Sequence, residues 1–447
     1  MRRNRPCVDR LVLCRPALAG VLAAVAVAVA SLGGAAEHAG ASSAAGERPQ
    51  ARGLSATSAK LAQLSKRTQI AAGKRIFRMG PWRRRPQPRS ARQPARLHTL
   101  KALPAVRAGD ALPGRVGFAG SVVWYEKAEQ LTWLRRLRET GAGWIREDFH
   151  WGAFEARQGV WTWSVGDRLM RNAAIAGVDV LGVVAYSAGW AASGPTIYHP
   201  PSNPALYAEF CRRLVERYGP GGSFWQANPE LAPRPLRALE IWNEPWYHFF
   251  WRPNPDPAAY VRLVRAAATA IHEANPAVKV LASADIFQMR AGTTESRDWF
   301  RLLLAIDSGL FRKLVDAYSV HAYSQRRGPN DTSVAQRWRY DRVLLTRDLA
   351  AQAGAAHPIW ITELGWTAGA AHPDGVSETT KGLYLRRALE RAVGEWGSFV
   401  ERSFIYHWGR AESDHVGGFG FFRADGDAKP ALHTLRSLLR APGRLSR

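Results

Sequence analysis

From about Gly114 to the C-terminus, short apolar runs alternate with longer stretches whose apolar residues recur at helical spacing. The apolar runs are continuous, which is typical of parallel strands buried on both faces. Eight of them occur, at residues 115–120, 143–148, 178–186, 236–244, 278–285, 314–323, 358–366 and 402–409. Eight strand–helix pairs over roughly 330 residues predict an α/β fold, a (β/α)8 TIM barrel, which we place at residues 113–441.

A doubly wound open sheet is the alternative arrangement for alternating strands and helices. It would require a glycine-rich phosphate-binding loop after an early strand. The chain contains neither a GxGxxG nor a GxxxxGK[ST] sequence, so the closed barrel is the favoured architecture.

The first 36 residues have a different pattern. A basic start, MRRNRPCVDRLVLCR, precedes 21 residues from Pro16 to Ala36 that contain no charge. The basic start, the apolar centre and the small residues before Glu37 or Ser42 are typical of a secretory signal peptide. The same stretch is also long enough to remain as an uncleaved N-terminal membrane anchor. Both interpretations predict that the rest of the chain is secreted or extracytoplasmic.

Residues 37–112 are rich in Ala, Ser, Arg, Pro and Gln and contain few large apolar residues. Such a segment buries too little apolar surface to offset the entropy lost on ordering, so we predict a disordered basic linker. Its arginines would also suit association with anionic cell-wall polymers or membrane headgroups, which is the alternative to a simply solvated tether.

The formal net charge of +25 would suit a nucleic-acid-binding protein. However, residues 1–115 contain 22 Lys and Arg against 4 Asp and Glu, whereas the remaining chain carries 40 basic and 33 acidic side chains. The basic character therefore belongs to the exported N-terminal segment, and we expect no nucleic-acid partner.

The cysteines indicate neither a disulfide framework nor a zinc site. Cys7 and Cys14 lie in the predicted signal segment, which leaves Cys211 alone in the rest of the chain. No Cys/His cluster has the spacing of a zinc site. Cys211 lies in a stretch with helical periodicity, which favours a buried packing role over a nucleophile.

Polar residues collect at the ends of the predicted strands. Catalytic groups of a (β/α)8 barrel lie at the C-terminal ends of its strands. The residues at these positions are Arg146, Asp148, Tyr186, Asn243, Glu244, His321, Tyr323, Glu363, His407 and Trp408. Each of them alone would fit a salt bridge or a loop cap, but their common position predicts a functional site on one rim.

Glu244 and Glu363 each end an apolar run and are flanked by tryptophan, in LEIWNEPW (239–246) and PIWITELGW (358–366). Glycoside hydrolysis needs two carboxyl groups across a cleft, one to protonate the leaving oxygen and one to stabilise or attack the oxocarbenium-like centre. Sugars also stack on aromatic side chains, because their C–H faces are apolar. Candidate stacking residues are the aromatic residues of IWNEPWYHFFW (241–251), together with Trp124, Trp151, Trp190, Trp366 and Trp408.

Five motifs in this order resemble the clan of retaining (β/α)8 glycoside hydrolases that includes the family 5 cellulases and the family 39 β-xylosidases. They are Arg146 on strand 2, Asn-Glu-Pro at 243–245, His-x-Tyr at 321–323, Glu363 on strand 7 and Trp408 on strand 8. The segment REDFHWGAFEARQGVWTW (146–163) resembles family 39 more than typical cellulases. Many family 5 members have a histidine at the end of strand 3, where this chain has AYSAGW (185–190), so the exact family and the sugar stay open.

The resemblance implies a role for each matching residue. Glu244 would be the acid/base and Glu363 the nucleophile. Asn243 would bind the sugar 2-hydroxyl, and Arg146 and Tyr323 would keep Glu363 ionised. His321 would line the site near the acid/base, and Trp408 would form the floor beneath the cleaved sugar. Weaker candidates for substrate contact are Trp151, Tyr186 and Trp366, together with His150 and His248.

The implied reaction is hydrolysis of β-linked oligo- or polysaccharides by double displacement, with the carboxyl groups roughly 5 to 5.5 Å apart. This reaction requires no metal and no organic cofactor. Loops at residues 187–202 and 245–256 would shape the cleft. Two alternatives remain on the same scaffold, namely a non-catalytic carbohydrate-binding barrel at the cell surface and a transglycosylase. Both endo and exo action are open, and we expect a monomer.

Overall fold

The computed structural model describes residues 112–292, 296–369, 372–410 and 418–440. The predicted signal or anchor segment and, apart from its last residue, the predicted linker lie outside these ranges, so both stay predictions. Within the described ranges, no helix combines the length and the apolar character needed to cross a bilayer.

Eight parallel strands close into a barrel in which each strand pairs with its neighbours in chain order and the last pairs with the first. The strands are β1 Val116–Gly120, β2 Trp144–Phe149, β3 Asp179–Val184, β4 Ala238–Ile241, β5 Lys279–Ser283, β6 Ala317–His321, β7 Ile359–Leu364 and β8 Val400–Trp408. All eight lie within the predicted apolar runs or overlap them, and the predicted α/β barrel is confirmed.

A helix follows each strand and packs outside the barrel. The helices are α1 Lys127–Arg138, α2 Ser164–Ala176, α3 Pro204–Tyr218, α4 Pro257–Ala274, α5 Trp299–Lys313, α6 Val343–Gln352, α7 Glu378–Leu389 and α8 Pro430–Leu439. Proline begins α3 and α4, and Asn203 and Asp256 cap them by accepting hydrogen bonds from backbone N–H groups of the first turn.

Short helical turns and one small hairpin lie in the connections. They are Leu112–Arg115, Val122–Trp124, Trp151–Phe154, Ser223–Gln226, Gln336–Trp338, Tyr340–Arg342 and Glu390–Glu395, with an antiparallel pair formed by Gln288–Met289 and Ser296–Arg297. Cys211 is buried on α3, as the helical pattern predicts.

The barrel interior is filled in layers. At its N-terminal end, one layer of inward-facing side chains consists of Trp144, Leu181, Ala238, Leu281, Ala317, Trp360 and Phe404. Side chains in a strand alternate between the two faces, so residues two positions further along also point inward. In four strands those residues are Arg146, Glu240, Ser319 and Thr362, which are all buried. The apolar floor therefore carries a polar layer toward the C-terminal rim.

Candidate active site

Glu244 lies in the connection that follows β4, not in the strand itself. The strand stops at Ile241 because Trp242 and Glu244 adopt left-handed backbone, with φ of 65° and 45°. Such backbone costs of order 1–3 kcal/mol per non-glycine residue and is concentrated at functional sites. The predicted strand, which ran to Glu244, is therefore three residues too long, although the residue does lie at the barrel mouth.

The Glu244 carboxyl is buried, with 4% exposure. Its Oε1 lies 2.8 Å from His321 Nδ1, whereas its Oε2 has no hydrogen-bond partner among the described residues. Burial raises the pKa of the Glu244 carboxyl, and this outweighs the opposing effect of the His321 ring. The group is therefore suited to carry a proton on Oε2.

Glu363 faces into the barrel because the strand pairing is irregular at this point. His321 of β6 pairs with Glu363, whereas the preceding residue, Val320, pairs with Ile361, so one residue of β7 is skipped. Both Thr362 and Glu363 consequently point inward. Arg146 Nη1 donates to Glu363 Oε1 at 2.8 Å, and the Tyr323 hydroxyl donates to Oε2 at 2.6 Å. Two donors, one of them a cation, are an arrangement that stabilises a carboxylate.

Arg146 binds three partners with three nitrogen atoms. Besides Glu363, Nη2 donates to Asn243 Oδ1 at 2.8 Å and Nε donates to Glu240 Oε2 at 2.6 Å. Glu240 also accepts from Ser319 Oγ at 2.5 Å. Burial opposes the charge of Glu240, but Arg146 and His321 outweigh it and lower the pKa of this carboxyl to about 2. The guanidinium is thus fixed between two carboxylates.

The His321 ring lies among three carboxyl groups. Its Nδ1 is 2.8 Å from Glu244 Oε1 and 3.6 Å from Glu363 Oε2, and its Nε2 is 3.8 Å from Glu240 Oε1. Burial alone lowers the pKa of His321, but the carboxylates outweigh it and raise the pKa to about 10. Two cations, Arg146 and His321, then balance two anions, Glu240 and Glu363, which favours a neutral Glu244.

Glu244, His321 and Glu363 offer ligand atoms that all lie within 4.8 Å of one another, close enough to hold a metal ion. A metal ion binds neutral imidazole. The raised pKa of His321 and the Arg146 contact to Glu363 disfavour a metal here. The expectation that no metal takes part stays a prediction.

Asn243 and Tyr186 are also among the predicted site residues that the structure brings together, and hydrogen bonds connect them to Arg146. Asn243 accepts from Arg146 and donates from Nδ2 to the Tyr186 hydroxyl at 3.2 Å. The Tyr186 ring stacks on Phe250 with centroids 5.8 Å apart. These contacts orient the amide, and Nδ2 retains a second hydrogen that can donate to a ligand.

The predicted contacts of Trp408, Trp151 and Trp366 with substrate are wrong, because all three side chains are almost fully buried in packing. Their indole N–H groups donate to Trp133 O at 3.1 Å, Glu155 Oε2 at 2.7 Å and Arg327 O at 2.8 Å, respectively. For Trp408 the cause lies in the pairing of β8 with β1. Ala119 pairs with Tyr406, but Gly120 pairs with Trp408, so one residue is skipped. Trp408 consequently packs outside the barrel on Phe118, at 4.6 Å.

Among the described residues, the contacts of the weaker histidine candidates are with groups other than Glu244 and Glu363. His150 is partly buried and packs edge-on against Trp124 and Tyr186, with centroids 5.0 and 5.6 Å away. The His248 ring contacts the carbonyl of Met289 at 3.2 Å.

Trp190, a candidate stacking residue, donates its indole N–H to the carbonyl of Glu155 at 2.8 Å.

Two aromatic residues that the sequence did not single out lie beside Glu363. Tyr406 and Phe419 pack with Tyr323, with ring centroids 5.4 to 6.3 Å apart. Tyr323 donates its hydroxyl to Glu363, so this group lines the nucleophile side of the site. Glu240 was missed as well, although a single charge within the apolar run LEIW was a signal that could have identified it.

Comparison with solved structures confirms the resemblance of the fold. The chain is similar to a family 39 glycoside hydrolase from Bacteroides cellulosilyticus WH2, with a TM-score of 0.53, 16% identity and coverage of 74% of this chain and 63% of that protein. It is also similar to a family 39 β-xylosidase from Caulobacter crescentus, with a TM-score of 0.53, 18% identity and coverage of 76% of this chain and 72% of that protein. A third similar structure is a glucosidase from Croceicoccus marinus, with a TM-score of 0.54, 15% identity and coverage of 76% of this chain and 69% of that protein.

The chain spans less than two thirds of the length of the first of these proteins. No protein-family model and no curated protein sequence matches it. At these identities the similarity defines the fold, which is the (β/α)8 barrel found in glycoside hydrolases of the clan that the motifs resemble.

Proposed function

We propose that the protein is a retaining O-glycoside hydrolase that cleaves β-linked glycosides by double displacement. The observation that carries this proposal is the pair of Glu244 and Glu363, which lie in unlike surroundings and each offer one carboxyl oxygen within 4.8 Å of the other's. Retaining enzymes place the two carboxyl groups roughly 5 to 5.5 Å apart, whereas inverting enzymes need roughly 6.5 to 9.5 Å to accommodate a water molecule.

In the first step, Glu363 attacks the anomeric carbon while the bond to the leaving oxygen breaks. Arg146 and Tyr323 orient the Glu363 carboxylate by hydrogen bonds, so that it acts as the nucleophile. Glu244 gives the proton on its unpartnered Oε2 to the departing oxygen. A glycosyl ester of Glu363 forms, and the leaving group departs as an alcohol.

In the second step, the same Glu244 oxygen accepts a proton from water, which attacks the anomeric carbon and releases Glu363. Two inversions give net retention of configuration. Asn243 is held by Arg146 and Tyr186, and its second N–H would donate to the sugar 2-hydroxyl. This hydrogen bond strengthens in the oxocarbenium-like transition state and accelerates both steps.

Three points about the substrate and its setting belong to the proposal. The β linkage is supported by the similarity of the fold to a protein described as a β-xylosidase. The predicted export signal and basic linker would bring the barrel to oligo- or polysaccharides outside the cytoplasm. The expectation of a monomer is supported by the similarity of the fold to a β-xylosidase from Caulobacter crescentus that is described as monomeric.

A substrate panel with stereochemical readout tests the proposal. The protein is incubated with aryl β-glycosides and with plant and microbial polysaccharides, and proton NMR follows the anomer that is released first. We expect the β-anomer. Glu363→Ala should abolish release while the circular dichroism spectrum is retained, and Glu216→Gln, at an exposed position on α3, serves as the matched control. Initial release of the α-anomer, or activity in Glu363→Ala, would contradict the mechanism. Binding of a glycan without turnover would instead indicate a carbohydrate-binding barrel.

A further inference from the structure

We propose that Trp246, Phe287 and Trp338 form the binding site for the leaving group, and we call these three residues the aromatic shelf. The inference rests on the proposed function and extends it by naming what the leaving group must be. The three residues come from the connections that follow β4, β5 and β6, so they lie at the same end of the barrel as Glu244.

The rings of the aromatic shelf form a continuous series. Trp246 packs edge-on against Phe287 with centroids 4.6 Å apart, and Phe287 packs against Trp338 at 5.3 Å with a tilt of 39°. Trp246 and Phe287 are each 6% exposed, whereas Trp338 is 37% exposed. Among the large apolar side chains that the structure describes as exposed, Trp338 is the only aromatic one. The series therefore leads from Trp246, two residues after the acid/base in the chain, to an indole open to solvent.

The aromatic shelf lies on the Glu244 side of the carboxyl pair. Trp246 is two residues from Glu244, and the backbone turn between them is closed by a hydrogen bond of 3.0 Å from Tyr247 N to Glu244 O. Glu244 Oε2 and Trp246 Nε1 are both buried, and neither has a hydrogen-bond partner in the described part of the chain. A buried polar atom without a partner is costly, and a ligand hydroxyl bound beside Glu244 would supply the partner that Oε2 lacks.

The opposite side of the pair has its own aromatic group. Tyr323 donates to Glu363, and its ring packs with those of Tyr406 and Phe419. The sugar that is attacked must lie on this side of the site. An acid/base contacts the oxygen of the departing group, so residues beyond Glu244 face that group and not the attacked sugar. The two aromatic groups therefore divide the cleft between the two parts of the substrate.

The aromatic shelf is held in place by hydrogen bonds and by a cation. Met289 N donates to the carbonyl of Trp246 at 2.8 Å and thereby ties together the connections after β4 and β5. The Arg342 guanidinium lies 5.4 Å from the Phe287 ring and also donates to the carbonyls of His321 and Tyr323. A preorganised surface binds a ligand with less loss of entropy than a mobile one.

The chemical class of the leaving group follows from these contacts. An exposed indole offers a flat apolar face, which binds the C–H face of a pyranose ring. The leaving group is therefore a second sugar residue, joined by a β linkage to the sugar that Glu363 attacks. A methyl or fluoride leaving group is too small to extend from Glu244 to Trp338.

The experiment uses two pairs of substrates, and within each pair it compares a disaccharide with a glycosyl fluoride that shares the attacked sugar. One pair is β-1,4-xylobiose and β-D-xylosyl fluoride, and the second is cellobiose and β-D-glucosyl fluoride. The measured quantity is the ratio of kcat/KM for the disaccharide to kcat/KM for the fluoride. We expect Trp338→Ala to lower this ratio about tenfold and Trp338→Phe to restore most of it, because the phenyl ring still offers a stacking face. Leu383→Ala, which alters another exposed apolar side chain at 57% exposure on α7, should leave the ratio unchanged.

The outcomes separate the inference from the proposed function. If the native protein hydrolyses a fluoride and Trp338→Ala does not change the ratio, the aromatic shelf is overturned while the hydrolase proposal stands. If the native protein hydrolyses neither fluoride nor disaccharide of either pair, and the wider glycoside panel also fails, the proposed function falls and the inference falls with it. A lowered ratio in Leu383→Ala would show that the effect is not specific to Trp338 and would equally overturn the inference.

Discussion

Glu240 holds Arg146 through Nε at 2.6 Å, which leaves the two terminal nitrogens of the guanidinium to bind Glu363 and Asn243. Glu240 therefore acts through Arg146 as a positioning residue. Its second oxygen is 3.8 Å from His321 Nε2, so the same carboxylate also helps to keep this ring protonated.

Glu240→Gln should lower kcat/KM on the order of a hundredfold, because the guanidinium loses the charge that fixes it. Glu240 is an anion on the same His321 ring as the general acid Glu244. Its loss makes it easier to remove a proton from this buried cluster, so the alkaline limb of the pH–rate profile, which requires a protonated acid, should move to lower pH. The measurement is kcat/KM from about pH 4 to about pH 10, a range that spans the ordinary pKa values of carboxyl and imidazole groups. Glu209→Gln, a half-exposed carboxyl on α3, is the control. An unchanged alkaline limb would assign Glu240 a purely structural role.

Removal of the acid/base should depend on the leaving group. Glu244→Ala should slow hydrolysis of a disaccharide by about 10² to 10⁴, the usual contribution of general acid–base catalysis. A dinitrophenyl glycoside needs no protonation to depart, so its first step should be nearly unaffected. Added azide should then restore turnover and give a β-glycosyl azide. An α-glycosyl azide, or no rescue, would contradict the assignment of Glu244.

Stability should decrease as pH rises through the alkaline range because of His321. Its pKa in the folded protein is about 10 against an ordinary 6.5, so the folded chain retains a proton that the unfolded chain releases. This contribution to the free energy of unfolding is complete below pH 6.5 and is lost as pH approaches 10, by at most about 1.4 kcal/mol per pH unit. Denaturant unfolding of the native protein and of His321→Gln should diverge at low pH and converge at high pH.

Lys381 changes the stability in the opposite direction over part of this range. Burial lowers its pKa to about 7, so its unfolded form binds more protons between pH 7 and 10.5. Both proteins in the comparison contain Lys381, so their difference isolates His321. A difference that stays constant with pH would show that the ring is not protonated in the fold.

Trp408 and Tyr406 should behave as a core residue and a site residue, respectively. Trp408→Ala should destabilise the fold by about 3–5 kcal/mol, because it removes a large buried side chain. Trp408→Phe should lower the melting temperature and leave KM unchanged. Tyr406→Leu should instead lower kcat/KM, since its ring packs against Tyr323 beside the nucleophile. An increase of KM in Trp408→Phe would restore the subsite interpretation of this residue.

The hydrophobic pattern was sufficient to predict the barrel and the rim at which its polar residues gather. Eight continuous apolar runs correspond to β1–β8, and the charges that end them, such as Glu244 and Glu363, lie together because parallel strands end at one rim. The number of strands depends only on periodicity, which the sequence displays directly.

The directions of the Trp408 and Glu363 side chains could not be predicted, because the regular alternation of strand residues fails at both positions. A skipped residue in the pairing of β8 with β1 turns Trp408 outward, and another in β7 turns Glu363 inward beside Thr362. The skipped residues, His407 and Thr362, are neither glycine nor proline, so their identity does not mark the irregularity in the sequence. The partners of Glu240 were equally inaccessible, because Arg146 is 94 residues away along the chain.

The pairing of Val116 with Ser403 joins the first strand to the last. Until residues near Ser403 have been synthesised and have reached the folding compartment, β1 and β7 both present unpaired edges, which are templates for aggregation. If the chain is exported as its N-terminus predicts, it must remain unfolded or chaperoned until almost all of it has crossed the membrane, and we expect truncation before β8 to produce insoluble protein.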